Sequence, residues 1–509
     1  MPFTTAAPSS GGHQAPQEQR LYLNSDSHAV LASGLVPEAI LSTLRYRDGS
    51  LPPVSGAVHS GAGYAALATS AHVYVWDYRQ TERSVGPSTL MAQPSVPYYT
   101  FPLAAAPDAV LRRTQLPGLD PTPLLCLVAD ELTPSTAIQD VGLLACARDG
   151  QLRFWSHVAY GLGGVEAYQH ACLPLDAQDF VQDIAAFDTI GYIVSTRQGK
   201  LFQINLYSDA GKPALYYRLL SKPMGVFQRV ASSLLDYVHH VVEDNNGGVS
   251  EPWAILAMVT GVVAEYRQSR ELFVLTKRYL QRWSVSKAYG EQFHFQLDVF
   301  DPIVRALAHY RGVEESQLSS LQVQLVDFIL TQDNRWFVLA SYCSNAKSKH
   351  LSTSLEIRFA LFEIQKQADP QSQGDEQIIK VTSIRSLGYT LTETAEQGAS
   401  RPSPKLVLLQ QNTAFALVFP HVVVLSTFLS TSRFEECLVL PQHRVLNYST
   451  ELTLRAQSKS VVFRSSVSAV PWLATGSDGI DQLTLLYLTG GVMDVYVNLQ
   501  AIHEQVESG

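Results

Sequence analysis

Apolar and polar residues alternate along most of this chain with a period of two, and the alternating runs come in pairs. Residues 64–69 lead to 72–77, which end in Trp76-Asp77; 141–147 lead through Asp149-Gly150 to 151–155, which end in Trp155. Residues 191–196 lead through Gln198-Gly199 to 200–204, and 271–276 lead to 279–283, which end in Trp283. Three looser copies follow: 336–340 with 355–362, then 405–409 and 415–419 with 422–426, then 482–487 through Gly490-Gly491 to 492–496. A period of two puts successive side chains on opposite faces of a strand, and Asp-Gly or Gln-Gly between two such runs is a hairpin turn. The pattern therefore predicts seven hairpin units.

A lone hairpin cannot cover its own faces. Hairpins stacked around an axis cover one another, so the fold class expected is all-β: a seven-bladed β-propeller with long loop insertions and a short amphipathic helical loop. The insertions fall at 80–124, 209–270, 369–377 and 393–404, which makes the period irregular. Long insertions in surface loops cost little stability. A β-sandwich, or two smaller β domains, is the alternative that the same pattern admits. Familiar propeller signatures are sparse: Trp76-Asp77 has no Gly-His partner at a repeating distance, and the Gly-Gly pairs keep no period. The expected organisation is a disordered tail over 1–20, the propeller over 21–500 and a second tail over 501–509.

One segment breaks the period. Between 219 and 242, Phe227, Val230, Leu234, Val238 and Val241 fall at i, i+3, i+7, i+11 and i+14, the spacing of one helical face. Met224, Val226, Leu235 and Val242 border that face. The opposite face carries Gln228, Arg229, Ser232, Ser233, Asp236 and His239, so it is nearly neutral and rich in serine. Pro223 suits a helix start and Gly247-Gly248 a stop. A basic face would bind anionic lipid by charge. A neutral, serine-rich face beside large apolar side chains has only apolar burial to use, which favours a curved membrane with gaps in its lipid packing. Packing of the helix on the propeller, or against a protein partner, is the plainer alternative.

Composition narrows the chemistry. The chain has 509 residues, 37 Lys plus Arg against 46 Asp plus Glu, and a net charge of −9, so no basic face for nucleic acid is expected. Its five cysteines are scattered, which suits reduced thiols rather than a disulfide framework. The most apolar stretches, 254–264 and 414–429, are too short or are broken by Pro420 and His421, so membrane contact is expected to be peripheral. No phosphate-binding glycine loop and no His-Glu-x-x-His occurs, and adjacent histidines such as His239-His240 lack ligand spacing. No catalytic residue, metal, cofactor or small-molecule substrate is expected. A hydrolase working in the central channel is the enzymatic rival, and it needs carboxylates or histidines converging there.

The run from Lys222 to Leu235 resembles the amphipathic lipid-packing-sensor loop of the 133-type nucleoporins. Residues 54–59, 63–67 and 72–76 resemble that family's first blade, as do 149–155, 274–276 and 280–283 its later ones. The resemblance covers about 21–500, and the 155-type nucleoporins are its nearest rival. It implies a non-enzymatic scaffold propeller of the Y-shaped nuclear pore subcomplex, located at the pore and nuclear envelope and supporting transport and pore assembly. Other scaffold nucleoporins and the curved envelope membrane are the partners it implies. Met224, Val226, Phe227, Val230, Leu234, Leu235, Val238 and Val241 are the expected membrane-binding residues. A propeller that only binds proteins is the alternative reading of the same resemblance.

Overall fold

The computed structural model describes residues 21–45, 52–79, 98–103, 122–129, 141–158, 168–176, 179–187, 190–209, 212–221, 253–264, 269–288, 290–314, 321–344, 354–368, 377–394, 403–409, 414–429, 432–439, 445–449, 471–474, 480–488 and 491–508. These form seven antiparallel sheets, six with four strands and one with five. The seven hairpins expected from the pattern are the second and third strands of the seven blades. In the first blade they are Tyr64–Ala68 and His72–Asp77, and in the last Ile480–Tyr487 and Gly491–Asn498. Middle strands are covered on both faces, so Tyr64–Ala68, Val141–Cys146 and Ala414–Val418 are buried throughout.

Each hairpin gains a strand on both sides. The first strands abut their neighbours around the ring, Ser55–His59 against Leu124–Ala129 and Ile255–Ala264 against Leu321–Leu330, so they line the central axis. The fourth strands, such as Gln169–Cys172 and Lys212–Leu219, form the rim. The apparent insertion at 209–270 is therefore shorter than the pattern suggested. It contains the rim strand of the third blade and the inner strand of the fourth. The apolar stretch at 254–264 is that inner strand.

The ring is closed by the two chain ends. His28–Gly34 pairs with Gly491–Asn498 as the fourth strand of the seventh blade, and Leu21–Asn24 adds a fifth strand outside it. Close approach fixes one glycine here: Gly491 has φ +74°, and a Cβ on it would stand 2.1 Å from the Gly34 carbonyl oxygen. The closing blade is tied to the sixth by Glu436, whose carboxylate lies 2.7 Å from His28 Nδ1 and accepts from Ser27 Oγ at 2.5 Å. It is tied to the first blade by Asn447 Nδ2, which donates to the Gly56 carbonyl at 2.7 Å. Helix Leu499–Ser508 follows the last strand, with Leu499 and Ile502 in the core between the sixth and seventh blades.

Helix Phe300–Arg311 connects the rim of the fourth blade to the inner strand of the fifth. Ile303 and Leu307 are fully buried in the core those blades share, with Phe273, Trp336 and Phe328. Gly312 ends it in the left-handed region at φ 66°, and the Val313 N–H donates to the Ala308 carbonyl at 2.9 Å.

Candidate functional site

Strands alternate in direction, so the turns between second and third strands share one end of the ring with the connections from each rim strand to the next inner strand. The amphipathic run at 219–242 is one of these connections, from the third blade to the fourth. Its candidate residues, Met224, Val226, Phe227, Val230, Leu234, Leu235, Val238 and Val241, all lie outside the described residues, as do 1–20. What the structure describes is how both roots of the connection are held.

The outgoing root follows Lys212–Leu219. Leu220 is buried among Leu201, Ile255 and Trp283, and its N–H donates to the Leu201 carbonyl at 2.9 Å. The Ser221 N–H then donates to Glu291 Oε1 at 3.2 Å, across the seam to the fourth blade. Arg218 crosses the same seam, with Nη2 donating to the Ser286 carbonyl at 2.9 Å and Nε 3.4 Å from Glu291 Oε2.

The returning root is Trp253. Its indole stacks on Tyr279 with ring centroids 5.4 Å apart and planes 22° apart, and it stays 38% exposed. Its carbonyl presses on the turn of the third blade, where a Cβ on Gly199, at φ +78°, would stand 2.6 Å away. Tyr279 in turn lies beside Arg278, whose guanidinium is 5.8 Å from the ring centroid and pairs with Asp298 at 2.6 Å and Asp301 at 2.7 Å. Burial works against the Arg278 charge, but the two carboxylates outweigh it and raise its pKa. The Arg278 carbonyl accepts from the N–H groups of Val299 and Phe300, so Trp253, Tyr279, Arg278 and the start of helix Phe300–Arg311 form one continuous surface.

The channel holds a cluster of charges drawn from three blades. Lys405, on the inner strand of the sixth blade, lies 3.9 Å from Asp183 on that of the third. Asp327, on the inner strand of the fifth, accepts from the N–H groups of Phe328 at 2.9 Å and Leu406 at 2.7 Å. Burial pulls the Lys405 ammonium down, but Asp183 and Asp327 overcome it and leave its pKa raised. Burial raises the Asp327 carboxyl, with Lys405 and the two N–H donors partly offsetting it. Burial also lifts the nearby Tyr448 phenol to about 12. Carboxylates do converge in the channel, then, but they converge on a lysine. That arrangement spends its charges on one another and leaves no acid and base with separated roles.

A second constellation looks like a hydrolase triad on paper: Ser27, His28 and Glu436. Both Ser27 Oγ, at 3.2 Å, and Glu436 Oε2, at 2.7 Å, meet the same ring nitrogen, His28 Nδ1. A triad needs the nucleophile on one nitrogen and the carboxylate on the other, so this cluster is a clasp for ring closure. Among the described residues, no group of three or more His, Cys, Asp or Glu is placed to hold a metal, and no helix is long and apolar enough to cross a membrane.

Sequence reasoning missed helix Phe300–Arg311 and the Trp253–Tyr279 stack. The helix had a signal: Ile303 and Leu307 four apart, His309 and Arg311 in the last turn, and Gly312 just beyond. The stack had none, because its rings are 26 residues apart in sequence, with two strands of the fourth blade between them.

With this geometry in view, the chain can be set beside known proteins. A comparison with curated proteins finds no match. Among solved structures it is similar to the crystal structure of the Vanderwaltozyma polyspora Nup133 β-propeller domain, with a TM-score of 0.58 and 13% identity over 94% of this chain and 100% of that one. It also aligns with the Chaetomium thermophilum Nup170 NTD–Nup53 complex at a TM-score of 0.48 and 12% identity, over 93% of this chain and 62% of that one. The family model described as "Nup133 N terminal like" matches residues 32–469, from the ring-closing strand into the seventh blade. The seven-bladed propeller with its strand order and the family match agree, and the chain belongs to the Nup133 N-terminal-like family of nucleoporin domains, which is structural rather than catalytic.

Proposed function

We propose that this propeller positions a nuclear pore scaffold at the curved nuclear envelope through its third-to-fourth blade connection. In this reading Phe227, Val230, Leu234, Leu235 and Val238 insert between loosely packed lipids, with Met224, Val226 and Val241 at the edges of the inserted face. Ser232 and Ser233 stay at the headgroup level. The protein thereby serves the Y-shaped subcomplex, pore assembly and nucleocytoplasmic transport, with other scaffold nucleoporins as its protein partners.

The observation that supports this most is how the roots are held. Leu220 is buried and Ser221 is tied to Glu291 at one end, and Trp253 is stacked on Tyr279 at the other. The third and fourth blades each have their four strands outside that segment. Burying about five large apolar side chains at roughly 1.5–3 kcal/mol each, less the cost of ordering the segment, is enough to recruit a domain to lipid.

Flotation with neutral liposomes of small and large diameter tests the reading. Recovery should favour the small vesicles and should be lost in Phe227→Asp and Leu234→Asp proteins that melt normally. Equal recovery at both sizes, or none, would reject the sensor.

A second reading is a module that binds proteins alone. It draws on exposed apolar side chains at the rim, such as Val439 on the fourth strand of the sixth blade. Capture of scaffold partners that survives deletion of 223–242, together with no flotation, would favour it.

A further inference from the structure

We infer that a second lipid-binding element lies beside the amphipathic connection: a rigid, basic and aromatic footing built from helix Phe300–Arg311 and the Trp253–Tyr279 stack, which takes anionic headgroups. The inference rests on the membrane reading above and adds to it a part that the connection itself lacks, namely charge.

The helix turns its apolar stripe inward, with Ile303, Leu307 and Ala308 buried. What it leaves outside is Arg305, His309, Tyr310 and Arg311, all exposed, with Tyr310 at 53%. Its first-turn acid, Asp301, is half-buried and shares Arg278 with Asp298, so that cluster keeps one negative charge at the start of the helix and the positive charge lies further along, on Arg305 and Arg311. Arg305 forms no ion pair among the described residues. Glu314 is the one described acid that follows the helix closely, and it stands beyond the cap at Gly312. Among the residues of the helix itself that are exposed, two are arginines and none is an acid, in a protein of net charge −9.

Position decides the occupant. The helix starts on the turn that carries Arg278 and Tyr279, and Tyr279 carries Trp253, where the amphipathic connection returns to the ring. A surface that meets a membrane through that connection brings this footing to the same plane. Trp and Tyr with one apolar and one polar end, beside arginines, suit the headgroup layer. A basic patch near an anionic leaflet gains on the order of 1 kcal/mol per charge, and that gain is confined to about a Debye length. Anionic lipid is therefore the partner, and salt should compete with it.

Flotation of the whole chain with large vesicles, where the curvature-dependent component is weak, isolates the footing. Recovery should rise when neutral phosphatidylcholine is doped with phosphatidylserine and fall back at high salt. Arg305→Glu/Arg311→Glu should lower the apparent affinity for doped vesicles by about tenfold or more. The same protein should keep the wild-type preference for small neutral vesicles. Arg305→Lys should retain the gain, which separates charge from a folding defect. Phe227→Asp should do the opposite of the double variant, losing small neutral vesicles and keeping the salt-sensitive gain. No gain with phosphatidylserine in the wild type would overturn the footing, whatever the neutral arm shows. A gain that survives the double charge reversal would place the charge elsewhere and overturn it too. Loss of a scaffold-protein partner in the double variant, with doped-vesicle recovery intact, would make this surface a protein interface instead.

Discussion

Two connections leave the rim of one blade for the inner strand of the next, and both carry a helical apolar stripe in their sequence. The one after the fourth blade, Phe300–Arg311, spends its stripe on the ring: Ile303 and Leu307 fill the core between blades alongside Phe273 and Trp336. The one after the third blade is rooted differently. The core at that seam is filled from the strands by Ile193, Leu201, Ile255, Leu272 and Trp283, with Leu220 as the connection's last described contribution. Amphipathicity alone therefore does not say where a helix goes. In sequence the two differ in the polar face, which is charged in one, with Arg305 and Arg311, and serine-rich in the other, between 228 and 239.

The largest effect comes from putting a charge on each stripe. Leu307→Asp buries a carboxylate among Phe328, Trp336 and Val338, and about 4 kcal/mol or more should be lost, enough to remove the cooperative unfolding transition at room temperature. Leu234→Asp should shift the unfolding midpoint by no more than about 0.5 kcal/mol. A denaturant titration of both proteins checks the pair. Equal damage from the two would mean that both stripes are core, and the membrane reading would fall with it.

That contrast also marks what could be read without coordinates. The second and third strands were visible because they are covered on both sides and, in every blade but the fifth, joined by a short turn. Of the first strands the alternation showed only Lys405–Leu408, and of the fourth strands none. Ile255–Ala264 reads as a plain apolar stretch because an inner strand faces both its neighbours and the channel. Gln169–Cys172 reads as loop because a rim strand is largely exposed. Closure was out of reach, since His28 pairs with Val497 at the far end of the chain and no local pattern encodes such a partner. The same limit hid the channel cluster, whose Asp183, Asp327 and Lys405 sit on three different blades.

Lys405→Met comes next in size and tests whether the ring is braced across its axis rather than at its connections. Without the ammonium, Asp183 and Asp327 face the channel with no cation between them. Water reaches Lys405 and Asp183, so screening limits the loss at neutral pH to about 1–2 kcal/mol. The pH dependence has a definite sign. The Asp327 carboxyl is raised above its ordinary 3.8 in the folded protein, and removing Lys405 raises it further. The folded state then binds a proton more tightly than the unfolded one, so the variant should regain stability as pH falls through that raised value. In the wild type the lysine is raised above its ordinary 10.5 as well. Its contribution should be complete below that value and should fade as pH climbs through the higher folded-state pKa. Chemical denaturation across pH reads both trends, and a variant whose deficit grew on acidification would remove the brace.

The smallest effect is expected at the returning root, and it is the most discriminating for the comparison. Trp253 stacks on Tyr279 but remains 38% exposed, so Trp253→Ala removes one aromatic pair and part of a buried face. Such a pair contributes about 0.5–1.5 kcal/mol beyond its area, and the exposed part of the ring adds little more. Trp283→Ala, in the buried core of the same seam, should cost about 3–5 kcal/mol by comparison. A Trp253→Ala loss near 1 kcal/mol would place the root of the third-to-fourth connection at the surface, where a lipid headgroup has access to it. A loss as large as that of Trp283→Ala would mean that this root is built into the core like Ile303 and Leu307. The two connections would then differ in sequence but not in use, and the indole would have no face left to offer a membrane.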